Sequence, residues 1–372
     1  VTESDTLYLG LISGTSADGV DAALVSFEHP VPRLVHGLTR PWPDALREDM
    51  LTVAQGEARI DLDAFGRLDV AIGQQFALAA QDVLAAASVP ASRVRAIGSH
   101  GQTMRHRPHG LLPFTMQLGD PSVIAEQCRI DVVADFRRAD VAAGGQGAPL
   151  LPAMHAMLLA APGHERVVLN LGGIANVTVL RADGHVLGFD TGPANGLLDA
   201  WCQRHRGRAY DHAGEFAASG NSRPELLARL LGDSYFSQPP PKSTGREHFH
   251  LAWLERQLDG TIVTPADVQA TLLELTACSV AQAIGQHAHA AVDVLVCGGG
   301  VHNPVLMSRL RDLLAPRSVL STASRGVDPD YLEAMAFAWL ARQRLLGLPG
   351  NLPAVTGASG PRVLGAVYRA PA

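Results

Sequence analysis

The sequence predicts an α/β protein built from two related halves, and three observations carry that reading. Apolar runs of strand length alternate with longer amphipathic stretches of helical period. A strand, a glycine-rich turn and a returning strand occupy residues 7–27, and the same unit recurs from residue 167 to residue 181. A third glycine-rich turn, Gly298-Gly299-Gly300, follows the apolar run 292–297 and leads to a helix start at Asn303-Pro304. Two such hairpins far apart in one chain suggest a duplicated fold whose halves face each other. Turns of this kind let backbone N–H groups approach a phosphate without side chains in the way, and Ser13, Thr15 and Ser16 add hydroxyls. Together they point to a nucleotide phosphate chain held between two lobes.

Taken in order, residues 7–12 and 20–27 form the first hairpin around Ser13-Gly14-Thr15-Ser16-Ala17-Asp18-Gly19. Helices are expected over 41–53 and 62–89, the second closed by Pro90. A short strand, 94–98, leads into Ser99-His100-Gly101-Gln102-Thr103, which puts His100 just past a strand end, where it serves equally as a ligand or as a structural residue. A strand at 113–117 and a helix opening at Asp120-Pro121 follow. The strand 130–134 ends in Asp135-Phe136-Arg137-Arg138, and the glycine- and proline-rich stretch 140–152 reads as a crossing between domains. Arg137 there is able to fork onto a carboxylate or phosphate, or to pair with Asp135 or Asp140 at the surface.

Residues 167–171 and 176–181 form the second hairpin around Gly172-Gly173, and a third strand, 185–189, delivers Asp190-Thr191-Gly192 at its tip. A carboxylate there is held on a rigid element yet open to a cleft; the plainer alternative is a turn aspartate bonding its own backbone. A helix over 196–206 is followed by a loop-rich region and by Ser237–Glu247, an irregular, proline-stiffened stretch whose Lys242 and Arg246 are able to reach an anion. Thr264-Pro265-Ala266-Asp267 starts a helix that runs to about His287. A further helix spans about 329–346 with Glu333 in its first turn, and 362–368 is the last strand.

Composition narrows the classes. The chain has 372 residues, 47% hydrophobic and 18% charged, which suits two globular domains. A net charge of −6 without a basic stripe argues against nucleic acid. Four dispersed cysteines read as reduced thiols of a cytoplasmic protein, and no window has the length of a membrane span.

The segments Ser13–Asp21, Ser99–Thr103, Asp135-Phe136-Arg137, Asn170–Asn176, Asp190–Pro193, Pro240–Glu247 and Cys297–Gly300 with Asn303 resemble, in order, those of the anhydro-N-acetylmuramic acid kinase family. Ala17 and Ala194 depart from the family's usual residues without replacing a chemical group. The resemblance implies an actin-like fold of two RNase H-like lobes with ATP in the cleft between them, divided as 1–138 plus 350–372 and 139–349. It also implies a kinase of peptidoglycan recycling that uses ATP, Mg²⁺ and water to open 1,6-anhydro-N-acetylmuramic acid, and a cytoplasmic homodimer. By the same matching Asp190 is the catalytic base. Gly14, Thr15, Ser16, Ala17, Asp18, Gly19, Val20 and Asp21 match the ATP phosphate loop, with Asp18 nearest the metal. Gly172, Gly173, Gly298, Gly299, Gly300 and Asn303 complete the nucleotide site, and His100, Gln102, Arg137 and Glu333 face the sugar. Two other classes share some of these features. An aspartic hydrolase would need a second D-[ST]-G, and there is none; an actin-like ATPase or assembly protein would turn over ATP without sugar.

Overall fold

A computed structural model of the chain describes residues 6–14, 17–29, 31–55, 60–245, 248–260 and 262–371. It divides into two compact units, residues 1–158 with 331–372 and residues 159–330.

The first unit is built on a mixed sheet. Strands β1 (Leu7–Ser13), β2 (Gly19–Ser26) and β3 (Arg33–Pro41) form an antiparallel meander. Strand β4 (Val94–Arg107) lies parallel to β1, with β5 (Phe114–Leu118) antiparallel on its far half and β6 (Val132–Ala134) parallel on its near half. The closing strand Ala366–Tyr368 runs antiparallel to β6. Helix Leu62–Ala87, N-capped by Asp61, buries Leu68, Ile72, Phe76 and Val83 in this unit's core. Helix Leu332–Leu346 comes close enough that a Cβ on Gly10 would lie 1.8 Å from the Ala334 carbonyl oxygen, and one on Gly98 2.0 Å from that of Phe337. Only glycine permits that approach. The helix therefore belongs with the first unit's sheet, whereas the expected boundary at 349/350 had set it in the second lobe.

The second unit repeats the plan. Strands β7 (Glu165–Leu171), β8 (Ile174–Leu180) and β9 (Val186–Pro193) form an antiparallel meander. Strand β10 (Ala291–Cys297) lies parallel to β7, and β11 (Ser318–Ser321) parallel to β10. Read from the meander outward, the orders β3-β2-β1-β4-β6 and β9-β8-β7-β10-β11 are the same, with the same strand directions. The α/β fold with two mixed sheets and its duplication are thus visible in the strand order itself. Helix Pro265–His287, capped by Thr264 as expected, buries Leu272, Leu275, Val280 and Ile284 in the second core. Among the described residues no helix is long and apolar enough to cross a membrane.

Expectations about three strands change. Strand β9 does not end at Phe189 but pairs with β8 as far as Pro193, so Asp190 lies within it rather than at its tip. Strand β4 does not stop at residue 98 but continues to Arg107, because β5 pairs with its distal half. His100 therefore lies within a strand rather than beyond its end, and Gly101, at φ +74°, marks an irregularity inside that strand. β3 was not expected at all, since its alternation of exposed and half-buried positions hides among polar residues at the sheet edge.

Candidate active site

In the second unit the β7–β8 turn is anchored by its own carbonyls. Gly172 accepts from the Asn195 N–H at 3.1 Å, and Gly173 from those of Ala194 (3.1 Å) and Gly196 (3.0 Å). The start of helix Asn195–Arg206 is thereby tied to the hairpin turn. The turn Gly298-Gly299-Gly300 lies against the same strand end. A Cβ on Gly298, at φ +80°, would lie 2.4 Å from Asn170 Oδ1, and one on Gly300 2.5 Å from Leu171 Cβ. Those two glycines are required by packing. At Gly172 and Gly299 a Cβ would meet nothing nearer than 3.6 and 3.8 Å, so space is open over these two positions. Asn303 spends its side chain as the cap of helix Pro304–Leu314, accepting from the Leu306 N–H at 3.1 Å.

Asp190 sits on β9 opposite Asn176 and is half-buried. Three residues hold it, Lys242 and Thr244 from the irregular segment and Tyr235 just before it. Its carboxylate Oδ2 accepts from the Thr244 N–H at 2.9 Å, and its own N–H donates to the Lys242 carbonyl at 3.1 Å. Its carbonyl accepts from the Tyr235 hydroxyl at 2.7 Å. Burial, then the Asp190 charge, push the Tyr235 hydroxyl's pKa up, so it stays a donor. Lys242 Nζ donates to the Tyr235 and Phe236 carbonyls at 3.1 and 3.4 Å and stands 4.6 Å from the Tyr235 ring centre. Burial lowers the Lys242 pKa, and the Asp190 charge opposes that fall. An open recess of ≈ 600 Å³ beside this segment is lined by Tyr235, Ser243, Thr244 and His248 among others.

In the first unit the hairpin turn is tied down from outside. The Ala17 carbonyl accepts from Arg47 Nε at 2.7 Å, and the Gly14 carbonyl from Gln102 Nε2 at 3.3 Å. Ser13 Oγ accepts from Trp42 Nε1 at 3.1 Å. The Asp18 carboxylate is 67% exposed, 3.5 Å from Arg47 Nη2. Gly19, Val20 and Asp21 lie in β2 rather than in the turn. A Cβ on Gly19 would lie 2.6 Å from Thr39 Cγ2, Val20 is in the core, and Asp21 accepts from the Thr39 hydroxyl at 2.6 Å. Thr15 and Ser16, and likewise Arg246, lie outside the described residues.

His100 and Arg137 are brought together across 37 positions of sequence. His100 Nδ1–H donates to the Gly101 carbonyl at 2.8 Å, and Nε2 accepts from Arg137 Nε at 2.9 Å. These partners assign the neutral Nδ1–H tautomer. Burial, and after it the Arg137 charge, hold the imidazole well below its ordinary pKa, in agreement with that tautomer. Arg137 Nη1 also donates to the Gly147 carbonyl at 2.8 Å. Gly147 is fixed in turn by the buried Asp140, whose carboxylate accepts from the Gly147 N–H, Asn351 Nδ2 and the Thr356 hydroxyl. Asp140 is thus an internal anchor, and it is Arg138 that pairs with Asp135, at 3.4 Å. Phe337 packs on the His100 ring at 4.7 Å, one helical turn after the half-buried Glu333. Two buried oxygens in this neighbourhood, Ser99 Oγ and Gln102 Oε1, have no partner among the described residues, and neither has Thr244 Oγ1 in the second unit.

The arrangement is one of backbone turns, an anchored arginine and one rigidly held carboxylate. A family model described as anhydro-N-acetylmuramic acid kinase matches residues 6–370.

The chain belongs to the anhydro-N-acetylmuramic acid kinase family.

A member from Xanthomonas campestris pv. campestris (strain 8004) is 58% identical over 367 residues, covering 98% of this chain and 97% of that protein. Another, from Coxiella burnetii (strain Dugway 5J108-111), is 48% identical over 363 residues, 97% of each chain. Among solved structures, a ROK family glucokinase from Streptomyces griseus in complex with glucose and AMPPNP aligns at a TM-score of 0.41 with 16% identity, covering 91% of this chain and 99% of that one. Membership in the kinase family implies ATP as the phosphoryl donor. Reasoning from the sequence missed the hold that Tyr235 and Thr244 have on Asp190, and the anchoring of Arg137 through Asp140. The one signal for the former was the family-like run Pro240–Glu247, which says nothing of what it touches.

Proposed function

We propose that the chain opens 1,6-anhydro-N-acetylmuramic acid and phosphorylates O6, giving N-acetylmuramic acid 6-phosphate and ADP in peptidoglycan recycling, with Asp190 as general base. Family membership supports the substrate, and the observation that carries the role is the fixed Asp190 carboxylate within β9, held by Thr244 N–H. The substrate has no free 6-hydroxyl, because O6 is tied to C1. Asp190 takes a proton from water as that water attacks C1, the C1–O6 bond breaks, and O6 bonds to the γ-phosphorus as the bridge to ADP breaks. One carboxylate suffices, since the phosphoryl group replaces the acid that would otherwise protonate the leaving oxygen.

For the nucleotide, the first unit offers Gly14 to Asp21, the hairpin turn with the start of β2, and the second offers Gly172-Gly173 with Gly298-Gly299-Gly300 and Asn303. The open faces of Gly172 and Gly299 favour this reading most. Asp18 suits Mg²⁺ through its exposed carboxylate, for this ion is commonly held by one or two carboxylates plus substrate phosphates. The ion would supply charge neutralisation on the phosphates. His100, Gln102, Arg137 and Glu333 serve the sugar, Arg137 through the lactyl carboxylate. The oxygens of Ser99 and Gln102 that have no partner among the described residues suit the polar groups of a sugar. A cytoplasmic homodimer is part of the same reading, and light scattering in solution should return twice the chain mass of 39.3 kDa.

The decisive experiment is Asp190→Asn in ¹⁸O-water. The variant should lose roughly 10²- to 10⁴-fold in kcat, with ring opening and phosphorylation falling together and ATP still bound. The wild type should place label on the anomeric oxygen and release the α-anomer first. Label in the phosphoryl group would mean that water attacked phosphorus, and the role at C1 would be abandoned.

A further inference from the structure

We infer that Lys242 is a positioning and charge-setting residue for Asp190, and that Tyr235, Lys242 and Thr244 form the closed clamp through which it acts. The inference rests on the reading of Asp190 as the base. The geometry is a ring of contacts. Asp190 N–H donates to the Lys242 carbonyl, Lys242 Nζ donates to the Tyr235 carbonyl, and the Tyr235 hydroxyl donates to the Asp190 carbonyl. Thr244, two residues beyond Lys242, adds the N–H that fixes the carboxylate itself. A turn aspartate needs no such enclosure from a segment about 50 residues away.

The ammonium has a second consequence. Lys242 is half-buried, and its carbonyl partners and the Tyr235 face hold its ammonium against the same Tyr235 whose hydroxyl bonds Asp190. Burial alone would drive it toward the neutral form, and the Asp190 charge works against that. The same attraction, seen from the carboxylate, favours the ionised form that a base must have. Among the described residues, the groups that face this pair include the Tyr235 hydroxyl, the neutral Asn176 paired with Asp190 from β8, and His287 from helix Pro265–His287. His287 rests edge-on against Phe189 at 5.0 Å, and its own pKa is lowered by burial first and by Lys242 next. Lys242 is thus the cation in this set, with His287 neutral near pH 7.

The test is the pH profile of kcat, read by ADP release with the anhydro sugar and ATP, for wild type, Lys242→Arg, Lys242→Met and Asp190→Asn. Removing the charge in Lys242→Met should move the acid limb up by roughly one pH unit and lower kcat near its foot roughly tenfold. The KM for ATP should stay within about twofold, while Lys242→Arg keeps the wild-type limb. Lys242→Gln, which retains a donor but no charge, should shift the limb like Lys242→Met and replaces it if that variant fails to fold. An acid limb unmoved in the neutral variants, or moved equally in Lys242→Arg, would overturn the inference while leaving Asp190 as base. Retention of full activity in Asp190→Asn would instead overturn the base reading on which it rests.

Discussion

At the scale of single residues, Arg137 shows how much of a site lies in what surrounds it. Its guanidinium offers five donors, and His100 and Gly147 each accept one in a fixed geometry. In the proposed sugar site a carboxylate would therefore meet a fork that is already oriented, which is where an arginine gains over a lysine. Arg137→Ala should weaken binding of the anhydro sugar by roughly two to five kcal/mol, with far less change in ATP affinity, measured by calorimetry on each ligand separately. An equal loss for 1,6-anhydro-N-acetylglucosamine, which lacks the lactyl group, would give the arginine another role. The sequence exposed Arg137 and His100 as candidates because each follows a strand signal beside a glycine. It could not show that they bond to one another, since 37 positions separate them and no local pattern encodes that distance. Asp140 was equally hidden, because a buried acid among glycines looks like a surface acid until its partners are known.

At the scale of elements, β4 is the most informative correction. Gly101 punctuates the sequence as a turn residue would, yet the strand runs through it because β1, β5 and β6 all supply partners. Tertiary pairing decides strand length here, and a local signal cannot report it. The two hairpins were legible for the opposite reason, since their apolar runs and the glycines between them are contiguous. Strand β4 also carries two imidazoles that burial keeps neutral, His100 and His106. The His106 pKa is lowered to about 4, with Arg137 and Arg107 adding to burial, and that of His155, in helix Pro152–Leu159, to about 3 by burial. Each folded value lies below the usual 6.5, so the unfolded chain binds more protons between the two. The contribution of each is intact above about pH 6.5 and is lost as pH falls toward its folded value. The thermal midpoint of His155→Leu should consequently fall less than that of wild type between pH 7 and pH 4.5, followed by circular dichroism. Parallel curves would mean that His155 binds its proton as readily in the fold as in the unfolded chain.

At the scale of the whole chain, the repeated strand order explains why two glycine turns announced a duplicated α/β fold. Each meander begins a unit, so its turn recurs at the same place in the plan. The boundaries were less legible, because the chain leaves the first unit after residue 158 and returns at 331 without a change of composition. Helix Leu332–Leu346 is the returning piece, and Gly10 and Gly98 are shaped to receive its backbone. A chain ended at residue 330 should therefore give a protease-resistant fragment covering 159–330 and rapid digestion of the remainder, resolved by mass spectrometry. Resistance of residues 6–158 in that truncation would show the helix to be dispensable. The same detour sets an order of events during synthesis. A ribosome delivers everything the second unit needs before it delivers the helix that closes the first, so the middle of the protein can mature while its beginning still waits for its end. Until then, the face that Gly10 and Gly98 shape for this helix has nothing of its own to cover it.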